Sequence, residues 1–149
     1  MIMENNDENI IFSLVYRLNE SVSYTKLQEL LFIIKKETNI RLDLHFTPCN
    51  YGPFSKKVYD IIENIEERGL VKVESLNVQD KSLRLITLTS AGKAEGEKAY
   101  SELNEKYRSS LDDIITRWGS EPLMSIVLYT YLTYPEMTKN SVIKGKLLN

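Results

Sequence analysis

The chain has 149 residues, with 19 Lys and Arg against 21 Asp and Glu, a net charge of −2 and a pI near 5.5. That balance argues against a dedicated nonspecific nucleic-acid binder, which carries a basic excess, while leaving room for a local basic patch. A single Cys and a single His exclude an intrachain disulfide and a closed four-ligand zinc site, and no apolar run approaches the ~18 residues that span a bilayer.

Hydrophobic residues at 42% and charged residues at 27% are the mix of a globular protein, and the length suits one domain over 1–149. The N-terminus, MIMENNDENII, has acids where a secretory signal needs basic residues, so a cytoplasmic location is expected. In NIIFSLVYRL, residues 9 to 18, Ile10, Ile11, Leu14, Val15 and Leu18 recur at helical spacing. The next segment, SYTKLQELLFIIKKET, places Leu27, Leu30, Leu31 and Ile34 on one face of a second helix. Thr25 and Gln28 fit a capping box at its start.

From Asn39 to Tyr51 the period changes to two. Ile40, Leu42, Leu44 and Phe46 alternate with Arg41, Asp43, His45 and Thr47, which predicts an extended segment closed by the turn around CNYGP. A third helix follows, with Ser55 as N-cap, Val58, Ile61, Ile62 and Ile65 as its buried stripe, and Gly69 at its exit. Val71 and Val73, then Leu83 and Leu85, alternate on the two arms of a hairpin whose tip is NVQDKS. A polar helix capped by Thr89 or Ser90 is expected to run to Arg108. Two more are expected over 109–118 and 122–134, then a short helix or frayed tail. The fold class is therefore mainly α with a small β-hairpin: a winged-helix-like core over 8–89 with a helical C-terminal extension over 90–149. That extension either completes the core or offers a surface for a homodimer.

The Leu27, Gln28, Leu30, Leu31 spacing, the Tyr51-Gly52-Pro53 turn and the Gly69-Leu70-Val71 exit resemble the Panacea or SocA-like antitoxin domain and the related YwgA-like proteins, over roughly residues 8 to 90. The resemblance implies a mostly helical, non-catalytic module that neutralises a toxin or delivers a partner to a protease, and it supplies no catalytic or cofactor-binding residue.

A helix delivered by this arrangement often reads DNA. Between residues 53 and 69, however, Lys56, Lys57 and Arg68 face the four carboxylates Asp60, Glu63, Glu66 and Glu67. Phosphate neutralisation supplies most of the affinity for a duplex, and an acidic exposed face opposes it. The expected partner is a basic protein surface, a toxin or a protease component, met by Tyr51, Lys56, Lys57, Asp60, Glu63 and Glu67. The alternative is a dimeric regulator touching duplex DNA through Ser55, Lys56, Lys57, Lys81 and Arg84. The tail cations Lys139, Lys144 and Lys146 read as solvated.

Catalysis finds little support. His45 and Cys49 lack a third orienting group and read as a surface His and a buried Cys. The adjacent carboxylates Asp112 and Asp113, or Glu66 and Glu67, diverge on a helix and do not form an acid–base couple. AGKAEG lacks the spacing of a phosphate loop. No metal, cofactor or membrane is expected. Among the aromatic residues Phe54, Tyr59, Trp118, Tyr129, Tyr131 and Tyr134, the segment from Tyr129 to Pro135 is the first place to seek an interface.

Overall fold

Residues 30 to 34, Leu-Leu-Phe-Ile-Ile, are the longest unbroken apolar run in the sequence, and they lie at the centre of the molecule. The computed structural model describes residues 6–49, 52–78 and 81–138, side chains at 78, 81 and 82 excepted. Its helices are α1 (Asn6–Arg17), α2 (Tyr24–Glu37), α3 (Lys56–Glu67), α4 (Ser90–Glu102), α5 (Glu105–Trp118) and α6 (Leu123–Thr133). Its strands are β1 (Ser21–Ser23), β2 (Thr47–Cys49), β3 (Gly52–Phe54), β4 (Val71–Val78) and β5 (Lys81–Leu88), and a 3-10 turn spans Pro135–Thr138. The tail beyond residue 138, with Lys139, Lys144 and Lys146, lies outside the described residues, as do Tyr51 and the hairpin tip at 79–80.

The α2 helix is more deeply buried than a single stripe implies. Leu27, Leu30, Leu31, Phe32, Ile33 and Ile34 are all buried. The reason is the C-terminal extension: α5 and α6 pack on α2, whose other neighbours include β1, β3 and β5. One apolar cluster runs from Ile10 in α1 to Ile126 in α6, so the extension completes the core. The two glycines of AGKAEG serve this packing. A Cβ on Gly96 would lie 2.7 Å from Tyr16 Cβ in α1, and one on Gly92 would lie 1.8 Å from the Leu70 carbonyl oxygen.

The cap of α2 is Ser23, whose hydroxyl accepts from the Lys26 N–H at 3.2 Å, and not Thr25. Extended backbone in β1 reaches Ser23 because Ser21, Val22 and Ser23 pair with Thr87, Ile86 and Leu85, and the helix starts at the next residue. Three residues are too few to display an alternation, which is why β1 escapes a reading by pattern. The break expected between Arg108 and residue 109 falls earlier, between Glu102 and Glu105. Asn104 accepts from the Tyr107 N–H at 2.8 Å and caps α5, while Leu103 ends α4.

The segment after α2 keeps its alternation, with Ile40, Leu42 and Leu44 buried and Arg41, Asp43 and His45 exposed. Residues 40–46 nevertheless form no ladder, because side chains take the backbone groups. The Arg41 N–H donates to the Tyr107 hydroxyl at 3.0 Å, the Asp43 N–H to Asp7 Oδ1 at 2.9 Å, and Lys35 Nζ donates to the Leu44 carbonyl. Pairing begins only where β2 meets β3, Thr47 opposite Phe54.

The larger sheet is antiparallel in the order β1-β5-β4, which leaves β4 on an edge. Residues directly opposite share a face, so Val71 with Leu88, Val73 with Ile86 and Ser75 with Arg84 turn inward. Leu83 and Leu85 therefore lie on the outer face, and Leu76 and Leu83 stand 38% and 37% exposed there. No helix among the described residues is long and apolar enough to cross a membrane.

Candidate binding surface on α3 and the adjoining hairpin

The α3 helix turns Val58, Ile61, Ile62 and Ile65 into the core and presents Lys56, Tyr59, Asp60, Glu63, Asn64, Glu66, Glu67 and Arg68 outward. Its approach is set by two neighbouring polar residues of α2. Gln28 clamps the backbone of Ser55, accepting from its N–H at 3.1 Å and donating to its carbonyl at 3.1 Å. Gln28 is thus a tertiary clamp, and no member of a capping box. Ser55 does precede the helix, but its hydroxyl makes no capping bond and is buried without a partner. At 1% exposure, Ser55 cannot touch a phosphate, which removes it from the expected DNA contacts.

Beside this clamp sits Glu29, fully buried, with both carboxyl oxygens unpartnered. Burial pushes its pKa up to about 8. Gly52 admits it: a Cβ there would lie 2.5 Å from Glu29 Oε1, and the backbone φ of +120° is one that other residues avoid. The start of β3 is therefore shaped at Gly52 by a buried carboxyl of α2.

The three cations of α3 are all engaged within the chain. Lys56 pairs with Asp60 at 3.2 Å. Lys57 reaches Asp7 at 2.6 Å and Asp43 at 3.3 Å, and the Asp7 side chain is only 4% exposed. Arg68 pairs with Glu8 at 2.8 Å and also donates to Asn64. Hydrogen bonding to Asp7 raises the Lys57 pKa, the proton being held more tightly in the pair. Among the described residues no ion pair engages Glu63, Glu66 or Glu67. The surface left by α3 is accordingly acidic.

Between α3 and the hairpin lies a groove of about 240 Å³ lined by Tyr24, Tyr59, Ile62, Glu63, Glu66 and Arg84. The Arg84 guanidinium stands 5.0 Å from the Tyr24 ring centre and 5.6 Å from that of Tyr59, within cation–π range of both. The inward register of residue 84 puts it there. It braces the hairpin against α2 and α3 and gives Arg84 a role unlike the phosphate contact expected of it. The Tyr24 hydroxyl is buried without a hydrogen-bond partner, and burial raises its pKa.

Of the residues singled out by sequence, Lys56, Lys57, Asp60, Glu63 and Glu67 do share α3, with the lysines paired and the glutamates open. Lys81 pairs with Val78 through β5, its side chain outside the described set. Tyr24 went unnoticed because a tyrosine at the first position of a helix carries no signal of its own. Its place beside Tyr59 and Arg84 is created by the register of β5.

The other candidates are accounted for inside the fold. The hydroxyls of Tyr129 and Tyr134 donate to Glu37 Oε2 at 2.6 and 2.7 Å, and Tyr131 is buried with its hydroxyl unpartnered. Asp112 accepts from the Tyr100 hydroxyl at 2.9 and 2.8 Å and pairs with Arg17 at 3.2 Å. His45 and Cys49 are both exposed, which corrects the expectation of a buried thiol. No group of three His, Cys, Asp or Glu that could hold a metal occurs among the described residues. Compared with family models and with curated proteins, the sequence matches none, and the functional reading rests on the surface of α3.

Proposed function

We propose that this chain is a non-enzymatic regulatory binding module of winged-helix type, antitoxin- or adaptor-like, acting in the cytoplasm and recognising a protein partner through the exposed face of α3. One observation carries the reading: Lys56, Lys57 and Arg68 are each paired with an intrachain carboxylate, whereas no ion pair among the described residues engages Glu63, Glu66 or Glu67. Such a face attracts a basic surface and repels a polyanion. The order of three helices followed by a hairpin supports the winged-helix assignment, and so does the β1-β5-β4 sheet. The partner is the basic face of a toxin or of a protease component.

Homodimerisation through the C-terminal helices belongs to the same reading. Its support is the uncharged α6, where Met124, Leu128 and Leu132 form an i, i+4, i+8 row that is 48%, 39% and 66% exposed. The competing role, a dimeric regulator on duplex DNA, draws on the same element order. Titrating a mixed-sequence duplex against salt separates the two. The acidic-face reading expects weak binding with a shallow dependence, and affinity capture that recovers a basic protein and loses it with Glu63→Lys, Glu67→Lys. Tight duplex binding with a steep salt slope that Lys56→Glu, Lys57→Glu abolishes would overturn it.

A further inference from the structure

The acidic face of α3 borders a free sheet edge, and the two together define how a partner would be held. Leu70 accepts from the Thr89 N–H at 3.1 Å, so in the antiparallel ladder the even-numbered residues Lys72, Glu74 and Leu76 direct their backbone groups to β5. Val73, Ser75 and Asn77 then direct theirs outward. Among the described residues nothing bonds to these groups, and all three lie on the edge strand of the sheet. A strand of eight residues with an open edge is a template for another strand. It carries no proline to blunt it, and its only charges, Lys72 and Glu74, pair with each other at 3.6 Å.

Resting on the protein-binding reading above, we infer that β4 takes up an extended basic segment of the partner as an added strand. Alternate side chains of that segment reach the groove edged by Glu63 and Glu66. Strand addition draws affinity from main-chain hydrogen bonds and specificity from where alternate side chains fall. The groove beneath the hairpin is lined by Glu63 and Glu66, by Tyr59 at 37% exposure, by Tyr24, itself nine-tenths buried with its hydroxyl unpartnered, and by Arg84 held over the two rings, so two carboxylates stand against one cation. Charge therefore selects lysine or arginine there. A second copy of this chain is a poorer occupant, because edge-to-edge pairing would bring two acidic α3 faces together.

Amide exchange of the full chain tests this, with a capped ten-residue peptide of alternating Lys and Val as probe and its Glu–Val twin as control. The basic peptide should slow exchange at Val73, Ser75 and Asn77 by about tenfold, and the acidic twin should not. Ser75→Pro removes one outward N–H without touching the ladder to β5, and should abolish the effect at Val73 and Asn77 while Glu74 and Leu76 stay protected. Slowing confined to α3, or undiminished by Ser75→Pro, would overturn the strand addition. Protection that rises with protein concentration in the absence of peptide would do the same, placing a second copy on the edge. If Glu63→Lys, Glu67→Lys weakens peptide binding and Ser75→Pro does not, the acidic-face reading stands and the added strand falls; if neither does, both fall.

Discussion

At the C-terminal end of α2, Glu37 accepts two tyrosine hydroxyls at 2.6 and 2.7 Å, and Arg117, 3.7 Å away, stacks over Trp118 and Tyr129. Along α3, Glu63 and Glu66 share a groove with Arg84, which stacks over Tyr24 and Tyr59, but no hydroxyl and no ion pair among the described residues engages Glu63, Glu66 or Glu67. Both regions set carboxylates beside aromatic rings, yet one is closed on itself and the other is open. In the aromatic segment from Tyr129 to Tyr134, Tyr129 and Tyr134 donate their hydroxyls to Glu37 and Tyr131 is buried. An exposed carboxylate without a cation is the better sign of a partner, since its electrostatic potential is not cancelled within the chain.

The contrast between a closed interior and an open face can be broken by mutation, and the largest effect is expected at Glu29. Below about pH 4.5 this carboxyl is protonated in folded and unfolded chains alike. Between that point and about 8 the unfolded chain releases the proton while the folded chain retains it. Stability attributable to this group should therefore fall as pH rises across that window, by on the order of 5 kcal/mol at most. Urea unfolding at several pH values should show Glu29→Gln flattening the slope and gaining stability at pH 8. An unchanged slope would mean that the carboxyl is already hydrated.

Gly52→Ala comes next, at about 3 kcal/mol of destabilisation, because it adds a methyl against Glu29 and strains a positive φ. Thermal and urea unfolding would measure it. Gln28→Ala strands the buried N–H and carbonyl of Ser55 and should cost about 2 kcal/mol, with faster amide exchange at the start of α3 as its local signature. Tyr134→Phe removes one of two hydroxyls from Glu37, about 1 kcal/mol, readable as a small shift in the urea midpoint. Smallest of all for folding is Glu63→Lys with Glu67→Lys, expected within about 0.5 kcal/mol of wild type. That change should nonetheless eliminate capture of a basic partner. A stability loss as large as that of Gln28→Ala would mean that the open face is part of the fold after all.

How much was legible in the sequence follows the range of the forces involved. Helix stripes such as Val58, Ile61, Ile62 and Ile65 depend on the 3.6-residue period and on local burial, so the sequence by itself determined six helices in order, the hairpin and the charge of α3. The exit at Gly69 and the cap at Thr89 are equally local. Three features were decided only when distant segments met. Gln28 reads as a capping partner until Ser55, 27 residues on, takes both ends of its amide. Arg84 reads as a phosphate contact until strand register turns it onto Tyr24 and Tyr59. Ion pairing across 50 residues between Lys57 and Asp7 and across 60 between Arg68 and Glu8 removes cations that a local count leaves available. Periodicity is a property of neighbouring residues and can be read along the chain; which charge meets its opposite, and which strand edge stays bare, depends on packing that no short window contains.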